Sequence, residues 1–134
     1  MDNKEQKYLE KMRAFFYRDR FAKHCGVRIV EVNDNYAVCA ADITENTLNA
    51  SDCVQGGMIF TLADLTFSVL ANHLHPRTVT QFASVNYLNP AVGKTLFAKA
   101  VEVSRTRHNA VYNVEVYNEE NVIVATMQAA GFIN

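Results

Sequence analysis

Apolar and polar residues alternate along this chain with two different periods, and the change between them divides the sequence. Over residues 4–21 the apolar side chains Tyr8, Leu9, Met12, Phe15 and Phe16 recur at helical spacing among charges. That pattern predicts an amphipathic surface helix packed on something else. Two β-like runs follow, 27–32 and 36–43, joined by the polar turn Asn33-Asp34-Asn35 as a hairpin. Residues 44–53 read as a polar connection, and a second helix is predicted over about 58–74, closed by Pro76. Beyond Pro76 the period shortens to that of strands: 78–88, 94–103, 111–117 and 122–132. Phe97, Lys99, Val101 and Val103 share one face of the second of these, and Tyr112, Val114 and Val116 one face of the third. The expected order is helix, two strands, one very apolar helix, then an antiparallel meander of about four strands with one covered face.

The second helix is apolar nearly all round. Met58, Ile59, Phe60, Leu62, Leu65, Phe67, Val69 and Leu70 leave no broad polar face, so a sheet curled around it should bury it on most sides. Its polar residues Thr61, Asp64, Ser68 and Asn72 fall on one narrow stripe at ~100° per residue. Such a stripe reads either as a hydrogen-bonded seam against a neighbouring strand or subunit, or as a catalytic wall. Asp64 favours the wall, because an ionised carboxylate is costly to bury for packing alone. Gly56 and Gly57 open the helix, and a helix N-terminus presents free backbone N–H groups. An acid together with oxyanion donors is a set of catalytic parts.

Composition narrows the setting. A chain of 134 residues makes one domain, 1–134, with residues 1–21 as an N-terminal helical extension. Hydrophobic residues at 49% and charged residues at 20% argue for a folded protein. A formal net charge of −1 gives no whole-molecule attraction to nucleic acid or anionic membrane, and neither is expected as a partner. No apolar segment follows the first seven residues, and the longest greasy stretch is interrupted by Asp64, so the protein reads as cytoplasmic. Cys25, Cys39 and Cys53 fit no disulfide framework and no zinc pattern, and read as free thiols. His24, His73, His75 and His108 lack ligand spacing, so no metal is expected. The aromatics, Phe60 and Phe67 included, read as core ahead of an aryl-binding pocket.

Gln55-Gly56-Gly57 followed by Leu62-Ala63-Asp64 resembles the signature of the PaaI-like (phenylacetate-degradation type) branch of hotdog-fold acyl-CoA thioesterases. In that branch a His-Gly-Gly precedes an acid in a Leu-Ala-Asp context on the central helix. Tyr87-Leu88-Asn89-Pro90 is similar to the family's Tyr-x-x-Pro strand end, and the likeness in element order covers about 21–132. The resemblance implies an α+β hotdog fold, a curved antiparallel sheet wrapped around one long central helix. It implies hydrolysis of an acyl- or aroyl-CoA thioester to the free acid and CoA, with no cofactor beyond the coenzyme A of the substrate. It also implies homodimers, commonly paired into tetramers, whose active sites at the dimer interface take the acid from one subunit and the glycine N–H from the other.

Carried over residue by residue, the Gly56 N–H would polarise the thioester carbonyl, and Asp64 would act as nucleophile or as general base on water. Asn49 would orient substrate or water, and Thr80 would bond the acid or the water. Gly57, Asn89 and Pro90 would contact substrate. Arg105, Arg107 and His108, in the connection 104–109, are similar to a CoA-contacting segment; by composition alone the same residues read equally as a solvated turn. The departure is Gln55, which stands where the family has histidine. A glutamine amide donates a hydrogen bond but cannot protonate a leaving thiolate. The alternative that this motivates is a non-catalytic acyl-CoA-binding or regulatory hotdog protein. A dehydratase on the same fold is disfavoured, since that chemistry wants the missing histidine.

Overall fold

A computed structural model describes residues 2–134. Its elements are α1 (Asn3–Phe16), α2 (Arg20–His24), β1 (Arg28–Val32), β2 (Ala37–Asp42), a 3-10 turn (Glu45–Thr47), α3 (Gly56–Leu74), β3 (Thr78–Tyr87), β4 (Thr95–Arg105), β5 (Asn109–Asn118) and β6 (Ile123–Ile133). The strands form one six-stranded antiparallel sheet in the order β1-β2-β4-β5-β6-β3. The sheet wraps around α3, as the apolar circumference of that helix requires. By length and composition α3, at 19 residues, is apolar enough to cross a membrane; here it is enclosed in the fold and contacts all six strands.

The inner face of the sheet is built mostly of small and β-branched side chains. Ala37, Cys39 and Ala41 of β2, Ala98 and Ala100 of β4, and Val114 and Val116 of β5 are all buried. Larger groups meet where the helix docks: Phe67 of α3 and Tyr112 of β5 are both fully buried, with ring centroids 5.1 Å apart. Tyr112 carries its hydroxyl to Glu102 Oε2 at 3.0 Å, and His75 just past α3 bonds the same oxygen at 2.8 Å. This partly buried polar group of three therefore fixes the C-terminal end of α3 to the sheet.

Two expectations need correction. The first helix does not run through 4–21. It stops at Phe16, and Asp19 caps a separate short helix by accepting the Ala22 N–H at 3.0 Å. An aspartate with a free N–H three residues on is a helix start, and that signal outweighs the continuing apolar spacing. The last four strands are also not a simple meander. β4, β5 and β6 follow one another, but β3 pairs with β6 at the far edge of the sheet. The connection from β3 to β4 passes under the start of α3, held where the Val54 N–H donates to Ala91 O (2.9 Å) and Asn118 Nδ2 donates to Val92 O (3.1 Å).

The two sheet edges differ. β1 is covered by α1, where Leu9 is buried and Arg13 Nε donates to Ile29 O at 3.0 Å. A second tether runs from the Tyr8 hydroxyl to His73 Nδ1 and on from His73 Nε2 to Asp34 Oδ1 at 2.8 Å, joining α1, α3 and the hairpin turn. β3 has no such cover, and Val79, Phe82 and Tyr87 are more than half exposed. Tyr8→Phe should lower unfolding stability by about 0.5–1 kcal/mol, the scale of one partly exposed hydrogen bond. Urea denaturation checks this, and hydrogen exchange should show the loss concentrated in α1.

Candidate active site

The site is organised by the first turn of α3. Gln55 is its N-cap, with its own N–H fixed on Thr47 O at 2.8 Å and its side-chain Oε1 accepting the Met58 N–H at 3.2 Å. That cap closes off one of the free donors of the helix start. The N–H groups of Gly56 and Gly57 have no protein acceptor among the described residues. Two adjacent backbone donors at the positive end of a helix dipole thus stay open for a negatively polarised oxygen. Gly57 permits this cap: a Cβ at that position would stand 2.7 Å from Gln55 Oε1.

Asp64 lies eight residues further on, about 12 Å along the axis at 1.5 Å per residue. It shares a half-buried stripe with Thr61, Ser68 and Asn72, as its spacing implied. The stripe is not uniform. Thr61 Oγ1 donates back to Gly57 O (2.8 Å), Asn72 Nδ2 donates to Ser68 O (2.9 Å), and Asn72 Oδ1 accepts the Thr78 N–H (3.2 Å). Only Asn72 is thereby tied to a neighbouring strand; the bonds of Thr61 and Ser68 stay within α3. Asp64 makes no hydrogen bond among the described residues. Burial holds its carboxyl above the ordinary aspartate range, and the nearby charge of Asp19 pushes it the same way.

Other sequence-derived candidates divide between two ends of the molecule. Asn49, Gly56, Asn89 and Pro90 come together, with Tyr87, around a cavity of about 390 Å³. Asn49 Oδ1 is engaged by the N–H groups of Ser51 and Cys53, which leaves its amide NH₂ without a protein partner among the described residues. Gln55, Gly57 and Thr61 face a second cavity, about 950 Å³, whose wall includes Phe21, Cys25, Leu48 and Met58. The short helix α2 supplies part of that wall, and sequence reasoning missed it by running the first helix straight through. Thr80 sits on the exposed edge strand, two residues past Thr78 and level with the C-terminal half of α3. Arg105, Arg107 and His108 are also at that end: the Ile133 N–H bonds His108 O at 2.7 Å, and Ile133 pairs with Thr78. Within one chain they are a helix length away from Gly56. The cysteines are free, and burial pushes the Cys39 thiol up to about 11.

Comparison with known proteins decides the lineage of this arrangement. The profile of the thioesterase superfamily matches residues 53–125, the span that holds α3 and the strands around it. The chain belongs to the thioesterase superfamily. A putative esterase of Archaeoglobus fulgidus is 31% identical over 124 residues, covering 91% of this chain and 80% of the relative. The acyl-coenzyme A thioesterase PaaI of Escherichia coli K12 is 29% identical over 113 residues, covering 84% and 81%. The solved structure of the E. coli PaaI protein from the phenylacetic acid degradation operon superposes with a TM-score of 0.88 at 25% identity, covering 97% of this chain and 95% of that one. The smu.793 protein of Streptococcus mutans, solved bound to acetyl-CoA, is 26% identical with a TM-score of 0.76, covering 81% and 88%. This thioesterase is thus a PaaI-like hotdog protein and a thioester hydrolase.

The raised Asp64 pKa has a signed consequence for stability. The folded state takes up this proton more readily than the unfolded chain, so the associated stabilisation is complete below the unfolded pKa of about 3.9 and is lost as pH rises through the folded value. Asp64→Asn removes the titration. The melting temperature of the variant minus that of wild type should therefore grow between about pH 4 and pH 7, as read by scanning calorimetry.

Proposed function

We propose that this thioesterase hydrolyses acyl- or aroyl-CoA thioesters to the free acid and CoA, with no metal or added cofactor, as a cytoplasmic enzyme. The observation that carries the reading is the pairing of two open backbone donors, Gly56 and Gly57, with a carboxylate that has no hydrogen-bond partner among the described residues. The E. coli relative's name and the acetyl-CoA bound by the S. mutans neighbour support the substrate class. In this mechanism the Gly56 N–H and the α3 dipole polarise the thioester carbonyl. Asp64 either attacks the carbonyl carbon, giving a mixed anhydride that water then hydrolyses to the free acid, or takes a proton from the water that attacks; the CoA thiolate leaves and is protonated from solvent or from the Asp64 carboxyl. Gln55 contributes the N–H groups of its side-chain amide and no proton.

Distance constrains how this works. A carbonyl held at Gly56 lies about 12 Å along the axis from the same chain's Asp64, beyond the ~3 Å reach of a nucleophile or base. We propose a two-fold dimer formed by antiparallel pairing of the open β3 edges. Such a pairing runs the two α3 helices in opposite directions and turns the donors of one chain toward the acidic stripe of the other. It also brings Arg105, Arg107 and His108 of one chain to the end of the dimer that holds Gly56 of the other, where they would meet CoA phosphates. Dimers of this kind could pair again into tetramers.

A panel of aliphatic and aromatic acyl-CoAs should include at least one that wild type turns over, and Asp64→Asn should lose ~10²-fold or more in kcat, the scale of a removed acid–base group. The kcat/KM of wild type should fall toward acid as the raised Asp64 carboxyl protonates. Gln55→His should raise the rate if the glutamine limits leaving-group protonation. Binding of CoA esters with no turnover would favour the non-catalytic alternative instead. Co-expression of Asp64→Asn with Gly56→Val, each inactive alone, should restore about a quarter of wild-type activity through mixed dimers. No recovery would place acid and donor on one chain.

A further inference from the structure

The start of α3 is gripped from two sides, and one of the grips has no part in the chemistry described so far. Gln55 holds it on the Gly57 side. On the other side the hydroxyl of Tyr87, the last residue of β3, donates to Gly56 O at 3.0 Å. The Tyr87 ring also occupies the place where a side chain at position 56 would stand. A Cβ there would lie 3.2 Å from Tyr87 Cζ and 3.3 Å from its hydroxyl oxygen. Tyr87 and Gly56 line the same 390 Å³ cavity with Asn49, Asn89 and Pro90.

Amide connectivity gives this contact a chemical consequence. Gln55 O accepts the first i→i+4 bond, from the Ile59 N–H at 3.3 Å. Gly56 O follows it as a helical acceptor, and a carbonyl oxygen has a second lone pair for the phenol. The peptide group that carries Gly56 O carries the N–H of Gly57. A hydrogen bond to the carbonyl polarises that amide and makes its N–H a stronger donor. The Gly57 N–H is one of the two donors left open at the helix start.

We propose that Tyr87 is a positioning residue for thioester hydrolysis: its phenol locks the Gly56–Gly57 peptide plane and strengthens the Gly57 N–H as a second donor to the thioester carbonyl. The proposal rests on the thioesterase reading above, in which the start of α3 receives that carbonyl. Tyr87→Phe keeps the ring against Gly56 and removes only the hydrogen bond, so it separates polarisation from packing.

The test combines spectroscopy with kinetics. Labelling with ¹⁵N-glycine gives five backbone amide signals, because the sequence holds five glycines. In Tyr87→Phe the Gly57 amide proton should move upfield while those of Gly26, Gly93 and Gly131 stay in place. The kcat should fall about threefold to tenfold, with KM within about twofold of wild type and the gel-filtration volume unchanged. An unmoved Gly57 signal or an unchanged kcat overturns the proposal, and so does a changed elution volume, which would assign Tyr87 to assembly. Failure of the underlying reading looks different: wild type turns over no acyl-CoA, or Asp64→Asn keeps the wild-type rate, and the proposal falls with it. An inactive Asp64→Asn beside a fully active Tyr87→Phe leaves the thioesterase reading standing and removes only this inference.

Discussion

A helix that is apolar on nearly every side must be enclosed, and the enclosure of α3 dictates most of this structure. Ten of its residues are buried, from Met58 to Ala71. No single flat sheet covers such a circumference, so the strands curl, and the inner face carries alanine and cysteine on β2 and β4 to let the helix come close. The same enclosure leaves a narrow strip and the two ends of α3 less than fully buried. The acid sits on the strip and the open donors at the N-terminal end. Site and core are thus made from one element, with the chemistry confined to what the packing leaves over.

Much of this was legible in the residues because periodicity is a local property. The all-round apolar pattern of α3 announced its burial, and the spacing of Thr61, Asp64, Ser68 and Asn72 announced the stripe. Asn33 was readable as a turn residue, and its side chain does accept the N–H groups of Asn35 and Tyr36. The break between α1 and α2 was also local, in Asp19, but the apolar spacing on both sides masked it. The placement of β3 was not local: its partner lies some fifty residues away, and nothing in its own alternation names β6 rather than β4. The contact between Tyr87 and Gly56 belongs to that second kind, since it exists only once β3 has been placed.

Gln55 shows how one residue can serve two demands. In the fold it caps α3, using its carbonyl oxygen on the Met58 N–H. The cap leaves the amide NH₂ of the same side chain for a ligand and keeps the neighbouring glycine N–H groups unobstructed. A glutamine is therefore compatible with a helix start that binds an oxygen, even though it supplies no proton. The proposed catalysis leans on backbone donors and one carboxylate, which would suit a thioester because its leaving group is already good.

The edge position of β3 also has a bearing on how the chain reaches its native state. β3 is made long before β6, its only strand partner among the described residues, so an emerging chain carries Val79, Phe82 and Tyr87 on a strand with nothing beside it. Closing that ladder requires a loop of roughly 35–40 residues, from Tyr87 to Ala125, a slow step compared with forming the β4-β5-β6 hairpins. The interval between synthesis of β3 and docking of β6 is therefore when this protein is most exposed to wrong pairing with its own neighbours on the polysome.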